Sequence, residues 1–206
     1  MNKTVNIAVL VSGGGTNLQA LIDARKNNII KSGELKLVVS SNQNAYALKR
    51  AEEAGIPTAV FERAKLTQKA FEVGILNALK AAQIELVVLA GFMSILSADF
   101  IKQYPDRIIN VHPSLIPAFC GAGYYGLRVH QAALEYGVRV TGATVHIVNE
   151  IPDGGKILLQ KAVSVRAGDT PETLQKRVME KAEWILLPKA AELLCKKIKE
   201  QSHERI

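Results

Sequence analysis

The sequence predicts an α/β fold: a doubly wound, mostly parallel twisted sheet with helices on both faces, Rossmann-like in its first half and carrying an antiparallel extension toward the carboxyl terminus. Three observations predict it. Short β-branched apolar runs alternate with segments of helical period, as in parallel strands covered on both faces. The first run closes on Ser12-Gly13-Gly14-Gly15 and opens into a helix. Past Tyr136 the alternation gives way to two extended runs separated by a polar turn.

In chain order, residues 6–11 read as the first strand and 17–26 as the first helix. A second strand at 35–40, a helix at 45–54 and a third strand at 58–61, entered through Gly55 and Pro57, follow. Next come a helix over 68–82, a strand at 86–90, a short helix around 97–103 and a strand at 107–111. The glycine- and aromatic-rich stretch 113–126 has the composition of a functional loop. A helix near 129–136 leads to the extended runs 140–148 and 157–163, joined by a turn containing Asp153-Gly154-Gly155. One long amphipathic helix over 171–199, with a bend expected at Pro188, finishes the pattern.

With 206 residues, 48% hydrophobic and 22% charged, the chain can bury a core as a single domain spanning 1–206. Its net charge of +7 favours anionic ligands such as phosphate esters, polyglutamate tails or nucleic acid. Much of the excess sits at Lys196, Lys197, Lys199 and Arg205, where a solvated helix face accounts for it. The aromatic interleaving that binds bases is absent, so no nucleic-acid partner is expected. Cys120 and Cys195 form no CxxC pair and have no histidines at ligand spacing, so neither a metal site nor a disulfide framework is indicated. The first residues lack a signal peptide's pattern, and no apolar run reaches the roughly 18 residues of a membrane span, which points to the cytoplasm.

A glycine turn between a first strand and a first helix exposes backbone N–H groups and aims the positive helix end at an anion. The dinucleotide fingerprint needs a glycine where Leu18 stands and an acidic residue where Ser40, Ser41 and Asn42 stand. A nicotinamide or flavin is therefore disfavoured, and no Gly-Lys-Ser/Thr completes a P-loop. Two readings remain: a phosphate site, or a tight turn with Thr16 or Asn17 as helix cap.

The fifth strand ends Asn110-Val111-His112-Pro113. Period-two alternation puts Asn110 and His112 on one side, at the carboxyl end of a strand, where open sheets keep their sites. An amide that steadies an oxyanion beside an imidazole that handles a proton suits acyl transfer. The plainer alternative is that His112 only hydrogen-bonds a loop carbonyl. His130 and His146 read as structural. Asp153 is a turn residue first, and a partner for His112 second, since a carboxylate orients an imidazole and favours its charged form.

The segments Ser12-Gly-Gly-Gly-Thr-Asn-Leu18, Leu89-Ala-Gly-Phe-Met93 through Leu96, Asn110-Val-His-Pro-Ser-Leu-Ile-Pro117 and Asp153-Gly-Gly155 come in the order and spacing of a known family. From first strand to last helix the chain resembles the phosphoribosylglycinamide formyltransferases of purine biosynthesis. The resemblance implies 10-formyltetrahydrofolate as co-substrate, no metal, and small-molecule partners, with the chain a monomer or weak homodimer. It implies that Gly15, Thr16 and Asn17 hold the ribose phosphate and that Glu183 contacts the glycinamide substrate. Met93, Ser94, Ile95 and Leu96, with the loop from Glu150 to Asp153, match the pterin pocket, to which Asn110 also belongs. The family's further basic folate contact falls at Gln68 or Lys69, and Ser94 stands where the family usually has arginine.

On this resemblance, residues 1–105 form the phosphate-binding half and 106–206 the folate and catalytic half. Asn110 and a cationic His112 would stabilise the oxygen of the tetrahedral intermediate while Asp153 helps relay a proton. The loop after Pro117 departs from the family's short turn, reading Cys120-Gly-Ala-Gly-Tyr-Tyr-Gly126. Relatives that formylate methionyl-tRNA, or that hydrolyse the formyl folate, would be expected to carry an added domain. Another sugar amine as acceptor, a hydrolase, and a non-catalytic phosphate-binding module are the competing readings.

Overall fold

The computed structural model describes residues 4–203; Arg205 and the first three residues, on which the sequence reading also draws, lie outside them. Strands β1 (Val5–Val11), β2 (Gly33–Ser40), β3 (Thr58–Val60), β4 (Leu86–Leu89), β5 (Ile108–His112), β6 (Val140–Ile147) and β7 (Ile157–Ser164) form one sheet ordered β3-β2-β1-β4-β5-β6-β7. β3 through β5 run parallel, and β6 and β7 continue the sheet antiparallel. The helices are α1 (Thr16–Lys26), α2 (Tyr46–Glu53), α3 (Gln68–Ala81), α4 (Ala98–Ile101), α5 (Leu127–Tyr136), α6 (Pro171–Val178) and α7 (Trp184–His203).

Alternation along β1 separates two cores. Val5, Ile7 and Val9 pack with Leu18 and Leu21 of α1, Ala47 of α2 and Leu187 of α7. Ala8 and Leu10 pack with Phe71, Ile75 and Leu79 of α3 and Phe100 of α4. Both faces are therefore sealed, and ligands are left with the edge where the carboxyl ends of the strands emerge. Chain order reverses between β1 and β4, which pair directly, so the loops after these two strands flank a switch-point crevice.

The sheet runs unbroken across residue 105, with Val87 of β4 paired to Ile108 of β5. The helix expected around 97–103 is confined to α4, capped by Ser97 accepting the Phe100 N–H. A short 3-10 turn over Arg63–Lys65 was not expected. The final helix is not continuous: α6 and α7 are separated by a π-helical turn over Met179–Glu183, and Pro188 lies inside α7. Pro188 offers no N–H to the Trp184 carbonyl and its ring crowds that group, and the widened π turn ends one residue before Trp184.

Candidate functional site

Two clusters lie along this edge. The first begins with register. Antiparallel pairing sets Asn110 opposite His146 and His112 opposite Thr144, so all four side chains share one face of the sheet. Asp153 reaches them from the β6–β7 connection, where its φ is 56°. Gly155 is required there because a Cβ would collide with the Ile147 carbonyl oxygen.

The Asp153 carboxylate sits 3.4 Å from His112 Nδ1 and 3.5 Å from His146 Nε2. It also accepts the Gly121 N–H at 2.9 Å and, at 3.4 Å, an amide hydrogen of Asn110. Burial pushes its carboxyl up, but the hydrogen bond with His146, the Gly121 amide and the charges of both imidazoles outweigh that and hold it below the ordinary carboxylate value. His146 Nδ1 bonds the Ile147 carbonyl at 2.9 Å, which orients the ring and leaves Nε2 facing Asn110 at 3.3 Å.

His112 Nε2 bonds the Phe119 carbonyl at 2.9 Å. The ring thus bonds a loop carbonyl, as the plainer reading has it, and also meets Asp153. Its two ring nitrogens both face oxygen atoms, Nδ1 that of Asp153 and Nε2 that of Phe119. The 113–126 loop supplies these contacts, with Phe119 at φ 49° and Gly121 at φ 86°. His130 is buried with neither ring nitrogen partnered among the described residues, and burial followed by the charge of His112 lowers its pKa to about 4.

Beside Asn110 and Asp153 opens a cleft of about 140 Å³. Its walls are Leu89, Phe92, Leu96 and Val148, with Ser94, Ile95, Glu150 and Ile151 around the mouth and His146 at the polar end. Met93 lies outside the lining, 56% exposed. Gln68 does not line it either; its amide nitrogen donates to the Ile95 carbonyl at 3.0 Å and to Glu72 at 2.6 Å. Among the described residues no group of three or more histidine, cysteine or acidic side chains is placed to hold a metal ion.

The second cluster is the glycine turn. Gly15, at φ 72°, is itself the cap residue of α1, and no side chain caps the helix, so neither Thr16 nor Asn17 plays that part. A Cβ on Gly15 would lie 2.6 Å from that of Ala47, whereas Gly13 and Gly14 face open space. The amides that begin α1 are thus left for an anion. Arg50 anchors the turn by donating to the Gly14 carbonyl at 2.9 Å.

Asn17 donates to Glu183 at 2.8 Å, with its own carbonyl oxygen unpartnered among the described residues. Burial raises the Glu183 pKa to about 7, the Asn17 hydrogen bond opposing only part of the rise. Ser12 Oγ accepts the Met93 N–H at 2.9 Å and so links the loops after β1 and β4 across the switch point.

The structure thus brings Asn110, His112 and Asp153 together, and Asn17 with Glu183. The sequence reading missed His146 and the backbone groups of Phe119 and Gly121. A signal for His146 existed: Thr144 and His146 are polar at period two, between the apolar residues Ala143, Val145 and Ile147.

Comparison with known proteins adds three findings. The formyl transferase family matches residues 5–190. The trifunctional purine biosynthetic protein adenosine-3 of Gallus gallus is 46% identical over 191 residues, 92% of this chain but only 18% of that protein, so the chain spans less than a fifth of that relative. The phosphoribosylglycinamide formyltransferase of Escherichia coli K12 is 42% identical over 175 residues, covering 84% of this chain and 80% of its own length. The crystal structure of glycinamide ribonucleotide transformylase 1 from Symbiobacterium toebii aligns with a TM-score of 0.88 at 39% identity, covering 94% of this chain and 89% of that one.

Proposed function

The chain belongs to the formyl transferase family, and from that premise we propose that it transfers the formyl group of 10-formyltetrahydrofolate to the amine of phosphoribosylglycinamide in purine biosynthesis. The observation that carries this reading is the Asp153 carboxylate, held ionised among Asn110, His112 and His146 at the polar end of an apolar cleft. A flat heterocycle with polar edges suits that cleft: Phe92, Leu96 and Val148 offer apolar walls, and Ser94 and Glu150 offer polar groups at the rim. The folate supplies the formyl group.

The rest is done by this chain's own side chains. The Asn110 amide and the His112 imidazolium stabilise the oxygen that gains charge as the amine attacks the formyl carbon. Asp153 orients His112 through Nδ1 and carries the proton given up by the amine toward the departing nitrogen. His112 Nε2 is held by the Phe119 carbonyl, so that carbonyl gives way when a substrate oxygen takes its place. The substrate's ribose phosphate binds at Gly15, Thr16 and Asn17, at the start of α1, with Glu183 toward the glycinamide.

Its partners on this reading are small molecules rather than nucleic acid, and the enzyme works in the cytoplasm as a monomer or weak homodimer. The domain is 1–206, with phosphate held chiefly by residues of 1–105 and the reacting groups by 106–206. No helix among the described residues is long and apolar enough to cross a membrane.

The test follows loss of the formyl group from 10-formyltetrahydrofolate spectroscopically, with and without phosphoribosylglycinamide. Loss that requires the amine supports the transferase. Loss without it makes the protein a hydrolase, and no loss in either mixture removes this acceptor.

A further inference from the structure

We propose that Glu72, in the second turn of α3, is a positioning residue that holds one wall of the folate cleft; the inference deepens the function proposed above and rests on it. Glu72 is 7% exposed and lies next to Phe71 on the helix face that packs against the sheet. Burial alone would be served by a leucine, whereas a carboxylate there loses its hydration and must recover it from donors.

The donors all lead to one segment. Ser97 gives its N–H at 2.7 Å and its hydroxyl at 2.5 Å, and the Gln68 amide nitrogen at 2.6 Å uses its other hydrogen on the Ile95 carbonyl. No lysine or arginine pairs with Glu72 among the described residues. The carboxylate is therefore a latch on residues 95–97 and not half of an ion pair.

That segment needs a latch. It joins β4 to α4, and while Phe92 stacks on Phe71 and Leu96 is buried in the core, Met93 and Ile95 between them are 56% and 73% exposed, so residues 93–95 have little apolar packing of their own. At its near end the Met93 N–H is tied to Ser12; at its far end Glu72 does the tying. Between the two ties stand Ser94, Ile95 and Leu96, which line the cleft. Hydrogen bonds to an ionised acceptor are roughly twice as strong as neutral ones, which suits a carboxylate to the task.

The experiment compares wild type with Glu72→Ala, Glu72→Gln and Ser97→Ala for turnover with both substrates, melting temperature and amide hydrogen exchange without ligand. Glu72→Ala should raise KM for 10-formyltetrahydrofolate about tenfold, with kcat within about threefold and KM for phosphoribosylglycinamide unchanged. Glu72→Gln, which keeps one oxygen acceptor, should fall between. Exchange should quicken over residues 93–97 while the strands stay protected. An unchanged folate KM despite faster exchange overturns the proposal, as does an equal rise in KM for both substrates. Should Glu72→Ala fail to fold, Glu72→Gln and Ser97→Ala decide by the same split. A wild-type protein without transfer overturns the function reading instead, and the exchange data still decide whether Glu72 holds the segment.

Discussion

Asp153 and Glu183 are two largely buried carboxylates on the same edge of the sheet, and their surroundings drive them in opposite directions. Asp153 has two imidazoles and a backbone amide around it and stays ionised. Glu183 has one amide from Asn17 and little else, so burial prevails and its pKa reaches about 7. The difference shows what each region is built for. Around Asp153 the chain has assembled compensating donors that keep a negative charge, at the place where the proposed function needs a proton to move. Around Glu183 it keeps a group that can offer either an acceptor or a donor near neutral pH.

The largest effect should come from neutralising the first of the pair. Asp153→Asn should lower kcat/KM by about 10³-fold, close to 4 kcal/mol of transition-state stabilisation, with KM for the phosphate substrate changed much less. Steady-state rates check it. Activity near wild type would show that the ionised carboxylate is incidental.

The second prediction turns the comparison into a pH dependence. A carboxyl whose folded pKa lies above its unfolded value binds more protons folded than unfolded, so stability falls as pH rises between the two values. For Glu183 that window runs from its ordinary 4.5 to about 7. The loss should be about 3 kcal/mol across it, complete above the folded value. Asp153 has the opposite sign: its contribution is present above the ordinary carboxylate value and disappears as pH falls through its depressed pKa. Denaturation from pH 4.5 to 8 should therefore show Glu183→Gln gaining on wild type as pH rises, and parallel curves would contradict the assignment.

His146→Ala should reduce kcat by about 30-fold, or about 2 kcal/mol, because it strips one of the groups that keep Asp153 charged. The measurement is kcat against pH, whose acid limb should move upward in the variant. Gly15→Ala should cost about 1–2 kcal/mol in denaturant unfolding and weaken phosphate-substrate binding, since φ 72° and the 2.6 Å approach to Ala47 leave no room for a methyl group.

These two clusters also differ in how far they could be read from sequence. The glycine turn is local: strand, glycines and helix adjoin in the chain, so its geometry follows from adjacent residues, and only the cap was misplaced, from Gly15 to Thr16 or Asn17. Asn110 and His112 were legible because period two and the following proline fix their side of the strand. His146 was not, because its role depends on which residue of β6 falls opposite Asn110, and that register is set by tertiary pairing. The same limit hid the backbone donors and acceptors of residues 119–121 and the π-helical turn before Trp184. The mostly parallel sheet and its two-sided core were legible because continuous apolar runs alternating with helices admit few other arrangements.

The most direct test of the account is the fate of the formyl carbon. Enzyme in excess over 10-formyltetrahydrofolate carrying a ¹³C-labelled formyl group is mixed with phosphoribosylglycinamide, and products are followed by mass spectrometry, for wild type and for Asp153→Asn. The account predicts that wild type places the label on the glycinamide nitrogen while the variant, over the same time, leaves it on the folate. Label recovered as formate, or transferred equally well by both proteins, would contradict it.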